Sequence, residues 1–468
     1  MIEHFKHKAS VQKALDKALA YQPKLNAMVS FLEPTSQLEA LKAIDPSSPF
    51  YGVPIVLKDL VNMKGSITTG SSKILENYVS PYDATITQKL SAKGAIIIGK
   101  ASCDTFGMGG TNMTAATGPV MNPYDLTRMS GGSSGGSAVL VASGVVPMAI
   151  GTDTGDSVRK PASYCGIVGM KPSYGRISRY GVIPYASSLD HVGFFTTTVK
   201  DAAITLEVLA GRDDKDMTSS NRPVEAYASL LKGDLKGQRI GILKNVIDSI
   251  QNQSTLKEFE RLCQKLEAKG AICVPIQLNE DLMHAFLPTY YIIANAEATA
   301  NHSNLDGLRF GVQKEGDDVE AIMSATRTAG FGKLLRKRFV IGSYALFIEN
   351  QEKVFRKAQK VRRLIVEDLK KALSQCDVLM APASSQGAPR LDDQSADQLS
   401  SEYLIAENFM ALGNFSGYPS ITIPFTLVDG LPVGINLTAS AFEEAQLLDI
   451  AYGIEQVTQW ADRTKELV

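Results

Sequence analysis

The stretch SGGSSGGS, at Ser130–Ser137, could do covalent chemistry because it places serines in a glycine-rich turn. Gly131–Gly135 fits the G-x-S-x-G pattern, in which a serine on a sharp turn acts as a nucleophile. The same letters also fit a flexible linker or a phosphate-binding loop. The apolar segment AVLVASGVVPMAI that follows indicates a turn opening a buried helix, which argues against a linker. No Lys-Ser/Thr pair follows the glycines, which argues against a phosphate loop.

A serine nucleophile needs a base to accept its proton, and the histidines are the first candidates. The chain has five of them: His4, His7, His191, His284 and His302. Chain order favours His284 and His302, because in hydrolases with this serine motif the histidine follows the serine. A lone histidine is more often a surface or core residue, so order alone supports the triad weakly.

A lysine can replace histidine as the base when burial lowers its pKa. Lys58 ends the apolar run Val53–Leu57, and Lys100 ends the apolar run Ile96–Gly99. Either lysine could equally mark a solvent-facing strand end, since lysines are seldom fully buried. The residues alone do not choose between the two lysines.

A second loop, GTDTGDSVRKPASYCGIVGMKP at Gly151–Pro172, follows the apolar run Val145–Ile150. Its first residues are small and polar, which predicts a turn. Ser157 could act there as a nucleophile, with neighbouring backbone N–H groups as an oxyanion hole. The sequence pattern therefore offers two candidate serines, Ser133 and Ser157.

The composition limits the function classes that the chain can serve. Of its 468 residues, 44% are hydrophobic and 21% are charged, which is typical of a globular protein. The formal net charge is −1, which gives no indication of a basic surface for direct nucleic-acid binding. Five cysteines without a C-x-x-C pair indicate a reducing compartment and argue against a zinc site. The charged N-terminus does not resemble a signal peptide, and no apolar run has the length of a membrane span. We expect a cytoplasmic protein without a membrane partner.

The elements that must position these side chains follow an α/β pattern. Residues 83–100 and 254–276 each combine a helical pattern, a glycine stop and a short β-rich run, which is Ala95–Ile98 in the first segment. Residues 211–224 and 384–401 read as loops. The other predicted strands are Val53–Leu57, Ile240–Leu243, Val378–Ala381, Ser420–Pro424 and Val433–Leu437, and the other predicted helices are Val11–Ala20 and Glu443–Gln456. We predict one large α/β domain with a helical elaboration around residues 281–373.

Three motifs taken together resemble the amidase-signature family. They are VPIVLKD at Val53–Asp59, GGSSGGS at Gly131–Ser137 and DTGDSVRKPASYCGIVGMKPSYGRISRYG at Asp153–Gly181. Their spacing fits the family, and the resemblance extends over nearly the whole chain. It implies one amidase-signature domain over residues 1–468, with a large mixed β-sheet covered by helices on both faces.

The resemblance also implies a Ser–cis-Ser–Lys triad. Ser157 would be the nucleophile, Ser133 the bridging serine on a cis peptide after Gly132, and Lys58 the base. This assignment removes Lys100 and His302 as candidates for the base. The backbone N–H groups that would form the oxyanion hole are those of Thr154, Gly155 and Asp156, and the side chains that would support the triad are Ser134 and Arg159.

Four further stretches resemble the members of this family that supply ammonia to tRNA-dependent amidotransferases. They are Gly70–Ile86, Ser178–Gly193, Thr289–Gly311 and Gly430–Leu437. This resemblance implies a carbon–nitrogen ligase complex that converts Glu-tRNA(Gln) to Gln-tRNA(Gln), and in many organisms Asp-tRNA(Asn) as well. This chain would hydrolyse glutamine through a γ-glutamyl ester of Ser157 and pass the ammonia to a B subunit.

The same resemblance implies the partners and cofactors. A heterotrimer with B and C subunits is expected, in which the B subunit binds most of the misacylated tRNA and uses ATP and Mg²⁺. No cofactor or metal is expected in this chain. The alternatives are a stand-alone amidase acting on another carboxamide and a weakly active scaffold subunit.

For glutamine binding, the resemblance points to Tyr290, Arg338 and Glu407. Arg338 would bind the α-carboxylate, because a guanidinium matches the geometry of a carboxylate. Glu407 would bind the α-ammonium. Without the family resemblance, Arg338 would be interpreted as a solvent-exposed residue of a basic helix, LLRKRF.

Two positions depart from the family pattern. Asp156 replaces a glycine next to the nucleophile, and Glu407 replaces an aspartate. A carboxylate beside an oxyanion site opposes the developing negative charge. We therefore expect Asp156 to turn its side chain away, or to pair with Arg159 or Lys160, while its N–H still faces the oxyanion.

Overall fold

The computed structural model of the chain describes Ile2, residues 8–393, Ser400 and residues 402–460. The strands in this part of the chain are β1 (Met28–Phe31), β2 (Pro54–Lys58), β3 (Ile96–Ala101), β4 (Met121–Asn122), β5 (Asp125–Met129), β6 (Met148–Asp153), β7 (Val168–Lys171), β8 (His191–Thr196), β9 (Arg239–Leu243), β10 (Ile272–Ile276), β11 (Val378–Pro382), β12 (Ser420–Val428) and β13 (Leu431–Thr438).

Helices lie before, between and after the strands. They are α1 (Lys8–Leu25), α2 (Thr35–Ala40), α3 (Thr85–Ala92), α4 (Gly135–Ala142), α5 (Arg159–Cys165), α6 (Val199–Leu209), α7 (Tyr227–Leu230), α8 (Lys244–Ser249), α9 (Gln253–Ala268), α10 (Glu280–Asn301), α11 (Val319–Gly330), α12 (Lys333–Leu346), α13 (Ile348–Gln351), α14 (Lys357–Leu373), α15 (Leu412–Ser416) and α16 (Glu444–Thr458). Among these helices, none is long and apolar enough to cross a membrane.

One mixed sheet organises the fold. Its eleven strands follow the order β1-β3-β2-β6-β8-β7-β12-β13-β11-β9-β10, and β4 and β5 form a separate pair. Neighbours run parallel from β3 through β2 to β6 and from β11 through β9 to β10, and antiparallel elsewhere in the sheet. The predicted large mixed sheet is confirmed.

Helices cover both faces of this sheet, as predicted. Side chains alternate along β2, so that Ile55 and Leu57 join a core with helices α3, α6, α9 and α16. Val56 faces the other way and joins a core with α1, α4 and α5. A third core packs α10, α12 and α14 against strands β9 and β11. Burial on both faces explains why the strands read as continuous apolar runs in the sequence.

The predicted elements agree with this architecture. The predicted strands correspond to β2, β3, β9, β11, β12 and β13, and helices α10–α14 fill the region where the sequence predicts a helical elaboration. Residues 211–224 contain neither helix nor strand, and the same holds for residues 384–393 apart from an isolated bridge at Arg390. Residues 394–399 and 401 of the second predicted loop lie outside the described residues, as do His4 and His7.

Candidate active site

Parallel pairing of two central strands brings the candidate lysine and one candidate serine to the same edge of the sheet. Lys58 is the last residue of β2, and Ser157 lies four residues beyond the end of β6. Strands β2 and β6 are parallel neighbours, so both chains leave the sheet at the same edge. Ser133 reaches this edge from the loop that precedes α4.

Lys58 is fully buried and hydrogen-bonded to hydroxyl groups. Its Nζ donates to Ser133 Oγ at 2.7 Å, to Ser134 Oγ at 2.8 Å and to Thr152 Oγ1 at 2.9 Å. Burial lowers the pKa of Lys58 to about 8, although the negative charges of Asp104 and Asp153 oppose the change. Close to one tenth of a lysine with a pKa of about 8 is neutral at pH 7, so this amine can act as a base.

The loop that carries Ser133 follows a tightly constrained backbone path. The peptide bond between Gly132 and Ser133 is cis, as the family resemblance implies. Gly131 has φ +79°, and a Cβ added to Gly132 would lie 2.1 Å from Asp104 Oδ2. These two positions therefore require glycine. Asp104 also donates its backbone N–H to Ser133 O at 3.1 Å, which fixes the loop beside Lys58.

Arg159 holds the loop that carries Ser157. Its Nε and Nη2 donate to the two carboxylate oxygens of Asp153 at 3.0 and 2.8 Å, and Nη2 also donates to Gly155 O at 2.8 Å. Burial disfavours ionised Asp153, but the Arg159 guanidinium outweighs burial and keeps the pKa of Asp153 well below its usual range. Arg159 reaches across to Met410 O at 2.6 Å and Asn414 Oδ1 at 2.7 Å.

We expect Arg159→Met to destabilise the protein strongly, because it leaves the buried carboxylate of Asp153 without its cation. Breaking a buried pair in this way typically costs about 3–5 kcal/mol. The measurement is the thermal midpoint of unfolding. The control is the double variant Asp153→Asn/Arg159→Met, in which no charge is left unpaired. A midpoint for Arg159→Met equal to that of the wild-type chain would contradict the structural role of the pair.

Ser157 lies on this loop and is 4% exposed. Its carbonyl accepts from Ser134 N at 3.2 Å, which joins the two serine loops, and its Oγ has no hydrogen-bond partner within the described residues. In the same part of the chain, the backbone N–H groups of Gly155, Asp156 and Ser157 bond no acceptor. Free N–H groups that converge beside a serine can stabilise an oxyanion. The Thr154 hydroxyl donates to Asp190 Oδ1 at 2.7 Å, which fixes its side chain, and the role of its backbone N–H in the oxyanion hole stays a prediction.

A cavity of about 330 Å³ opens beside this loop and gathers the three predicted substrate-binding residues. Gly155, Asp156, Tyr290, Arg338 and Glu407 are among the residues that line it. The Tyr290 hydroxyl approaches the serine loop closely, since a Cβ on Gly155 would lie 2.8 Å from it. Residues from the second serine loop, from α10, from α12 and from the segment before α15 thus meet at one cavity.

Arg338 presents a guanidinium to this cavity without a carboxylate partner in the described part of the chain. Its Nη1 donates to Tyr185 Oη at 2.6 Å, and the guanidinium stacks 5.4 Å from the ring centroid of Tyr291. The sequence alone favoured a solvated arginine on a basic helix. Instead, the aromatic contacts hold a half-buried cation that is suited to a carboxylate ligand.

Glu407 lies in the cavity wall with both carboxylate oxygens engaged. Oε2 accepts from Lys160 Nζ at 2.8 Å and from Tyr164 Oη at 3.3 Å. Oε1 accepts from Ser385 N at 2.7 Å and from Ser385 Oγ at 2.5 Å. Burial raises the pKa of Glu407, but Lys160 and Ser385 outweigh burial and lower it, so Glu407 is an ionised carboxylate neutralised by a lysine.

Asp156 pairs with neither Arg159 nor Lys160, so the alternative of an ion pair is wrong, while a side chain turned away from the oxyanion stays a prediction. Arg159 is bonded to Asp153, and Lys160 is bonded to Glu407. Among the described residues, the Asp156 carboxylate has no hydrogen bond or ion pair, and its side chain lines the cavity. Burial raises its pKa to about 7, against the nearby charge of Lys160.

The other candidate bases lie in different surroundings. Lys100 is buried with a pKa lowered by burial to about 8, but its Nζ donates to Val61 O and to Thr68 Oγ1. Burial lowers the pKa of His302 to about 3, and its ring packs 4.9 Å from that of Phe106.

Two further histidines are also separate from the serines. His191 is buried, and its Nδ1 contacts Leu189 O at 2.7 Å, whereas His284 is exposed. The structure places no histidine of its described residues in hydrogen-bond contact with Ser133 or Ser157.

Thr152 and Asn414 also contribute to the site and were missed by sequence reasoning. Thr152 bonds Lys58 directly, and Asn414 Nδ2 donates to Asp153 O at 2.9 Å while its Oδ1 accepts from Arg159. Thr152 could have been found, because it lies in the same polar turn as Ser157. Asn414 has no local signal, because its partners are more than 250 residues away.

Comparison with known proteins extends over nearly the whole chain. A family model described as Amidase matches residues 9–448. The A subunit of the glutamyl-tRNA(Gln) amidotransferase of Coxiella burnetii (strain Dugway 5J108-111) is 40% identical over 463 residues, which cover 97% of this chain and 95% of that protein.

Solved structures have the same overall arrangement. The crystal structure of the glutamyl-tRNA(Gln) amidotransferase A subunit from Thermotoga maritima matches with a TM-score of 0.81 at 34% identity, covering 97% of this chain and 93% of that chain. The native peptide amidase from Stenotrophomonas maltophilia matches with a TM-score of 0.83 at 27% identity, covering 98% and 94% of the two chains. Both serine loops and the cavity beside them lie within the region matched by the family model.

Proposed function

The chain belongs to the amidase family, and we propose that it is the glutaminase subunit of a tRNA-dependent amidotransferase. The observation that carries this proposal is the 2.7 Å hydrogen bond between buried Lys58 and Ser133, next to the loop of Ser157. The sequence identity with amidotransferase A subunits over nearly the full length supports the choice of glutamine as the substrate. The reaction is hydrolysis of a carboxamide, with the released ammonia used in an amidation.

In the proposed mechanism, neutral Lys58 accepts a proton from Ser133 Oγ while Ser133 accepts one from Ser157 Oγ. Ser157 Oγ then attacks the carbonyl carbon of the glutamine side chain. The predicted oxyanion hole, the N–H groups of Thr154, Gly155 and Asp156, stabilises the oxyanion that forms, together with the free N–H group of Ser157.

The second half of the reaction releases both products. The proton returns through Ser133 to the leaving nitrogen, the C–N bond breaks, and ammonia departs. The γ-glutamyl ester of Ser157 remains. Water then attacks this ester and gives its proton back through the same relay, which releases glutamate and restores the serine.

The cavity beside the loop accommodates the rest of the glutamine in this proposal. Arg338 binds the α-carboxylate, because it is a half-buried guanidinium that lacks a carboxylate partner in the described chain. Tyr290 borders the reacting carboxamide, next to Gly155. The side chains around these two residues are largely fixed by hydrogen bonds and stacking, so the cavity needs little rearrangement to bind its ligand.

The proposal extends to the partners of the chain. B and C subunits complete a heterotrimer, the B subunit binds the misacylated tRNA and uses ATP and Mg²⁺, and this chain contributes no cofactor of its own. The complex is cytoplasmic, and the chain forms one amidase domain. The A-subunit relatives support these assignments by their names alone.

The decisive experiment compares the purified chain alone with the chain combined with B and C subunits. We expect glutamine hydrolysis that depends on Ser157, and amidation of Glu-tRNA(Gln) only with both partners, ATP and Mg²⁺. Strong turnover of simple amides by the isolated chain, unaffected by partners, would favour a stand-alone amidase. This is the second candidate because the fold also matches that of a peptide amidase. Assembly of the complex without glutamine hydrolysis would favour a scaffold role.

A further inference from the structure

The cavity beside Ser157 is lined by Arg338, which lacks a carboxylate partner in the described chain, and by two acidic residues that lack a basic partner there, Asp156 and Glu402. Glu402 accepts a hydrogen bond from Gln251 N at 3.2 Å, whereas the Asp156 carboxylate accepts none in the described chain. The pKa of Asp156 is about 7, so a cation that binds beside it favours its ionised form. We propose that Arg338 and Asp156 bind the two charges of the substrate's amino acid head group, Arg338 its α-carboxylate and Asp156 its α-ammonium. This inference rests on the proposed function, because it takes glutamine as the substrate.

Glu407 is the other acidic residue that the sequence points to, but its charge is already used. Lys160 Nζ contacts Glu407 Oε2 at 2.8 Å and also donates to Ala383 O at 3.0 Å. With Ser385 on its other oxygen, Glu407 accepts four hydrogen bonds from the protein. An incoming ammonium would have to compete with the ammonium of Lys160, so Glu407 is a poor site for it.

Asp156 has the opposite properties. Its carboxylate lacks a hydrogen bond in the described chain, and its side chain borders the same cavity as Arg338. Tyr290 and Tyr403 lie near both charges: burial raises the pKa of each phenol, while Asp156 raises it further and Arg338 lowers it. A half-buried carboxylate without a partner gains from a ligand that supplies a cation. A zwitterionic head group brings a cation to Asp156 and an anion to Arg338.

The charge of Asp156 also affects the rate of the reaction, because it lies close to the oxyanion that forms at the reacting carbon. Asp156 is adjacent to Ser157, and its own N–H is one of the free donors for the oxyanion. A free carboxylate there disfavours the negative charge that forms on the carbonyl oxygen. A bound α-ammonium neutralises that carboxylate, so substrates with an ammonium react faster than substrates without one. Asp156 thus acts as a specificity residue through both binding and turnover.

Three amides test this inference in the chain assembled with its partner subunits. Glutamine has both charges, glutaramate lacks the α-ammonium, and 4-aminobutanamide lacks the α-carboxylate. We expect Asp156→Asn to lower kcat/KM about 10- to 100-fold for glutamine and 4-aminobutanamide, as for a lost hydrogen bond to a charged group. The same variant should increase kcat for glutaramate, because the opposing charge is gone.

Two matched variants complete the comparison. Arg338→Gln should lower kcat/KM far more for glutamine and glutaramate, which carry the α-carboxylate, than for 4-aminobutanamide, which lacks it. Glu407→Gln should affect all three amides alike, because it alters the cavity wall rather than the ammonium site. The inference is overturned if Glu407→Gln lowers kcat/KM only for the two amides that carry an ammonium, while Asp156→Asn changes kcat/KM equally for all three.

A binding measurement separates this inference from the proposed function. Calorimetry with a Ser157→Ala chain reports glutamine binding without turnover, and adding Asp156→Asn should weaken that binding about 10- to 100-fold. If the wild-type complex neither binds nor hydrolyses glutamine, the proposed function fails. If it hydrolyses glutamine and Asp156→Asn leaves both the affinity and the substrate ratios unchanged, only the role of Asp156 fails.

Discussion

Replacing Ser157 with alanine is expected to lower kcat for glutamine hydrolysis by at least about 10⁴-fold, as loss of a serine nucleophile does in other hydrolases. The variant should still bind glutamine, because Arg338 and Tyr290 remain in place. The Ser157 hydroxyl makes no hydrogen bond within the described residues, so its removal breaks none and the fold should persist.

The measurement is the initial rate of ammonia release, together with mass spectrometry of the peptide that carries the acyl group. Ser133→Ala is the matched control: losing a proton relay typically lowers the rate about 10²- to 10⁴-fold, with any residual acyl group still on Ser157. The opposite pattern, with acyl groups on Ser133 and activity preserved in Ser157→Ala, would restore the G-x-S-x-G interpretation of Ser133 as the nucleophile.

Replacing Lys58 with methionine is expected to lower the acylation rate about 10³- to 10⁴-fold, because the relay then has no base. Burial lowers the pKa of Lys58 from 10.5 to about 8 in the folded chain. Only the neutral amine accepts a proton, so acylation at saturating glutamine should rise as pH increases through about 8 and then reach a plateau. The variant should lose this rise, which single-turnover measurements between acidic and alkaline pH would detect.

Lys100→Met provides the matched control for that experiment. Lys100 is also a fully buried lysine with a pKa of about 8, but it donates to Val61 O and Thr68 Oγ1 and to neither serine. Its replacement should reduce the thermal midpoint, because it removes the cation near buried Asp59. The acylation rate and its pH profile should be unchanged. Loss of the profile in Lys100→Met, with the profile intact in Lys58→Met, would reverse the assignment of the base.

The choice between these two lysines shows where sequence reasoning ends. Both end apolar runs, and both runs form buried strands, as predicted. Strands β2 and β3 are paired through an irregular register, in which Ile55 faces Ile97 but Leu57 faces Lys100. Lys100 therefore shares the sheet face of Leu57, and Lys58 points to the opposite face, where the serine loops lie. Gly99 lies at this shift, and an isolated glycine inside a strand pattern suggests a bulge. The glycine does not show which lysine then faces the serine loops, so only the family resemblance could select Lys58.

The cavity also contains contacts that the sequence could not predict. Arg338, Tyr290 and Glu407 could be named from the resemblance, and the structure does bring them together. The pairing of Glu407 with Lys160 could not be foreseen, because it joins residues 247 positions apart and depends on tertiary packing. The sequence did show that Asp156 was unusual. It could not show that both cations near Asp156 are already bonded to other carboxylates.

The contacts of Arg159 with Met410 and Asn414 also bear on how the chain is made. A ribosome adds residues in order, so a nascent chain contains the lysine and both serines long before these two acceptors exist. Until they emerge and dock, the Arg159 guanidinium is held only by Asp153 and Gly155 and lacks the acceptors that join it to the rest of the site. Hydrolytic competence therefore arises only after residue 414 has been added, and translation products truncated before it are not expected to release ammonia from free glutamine.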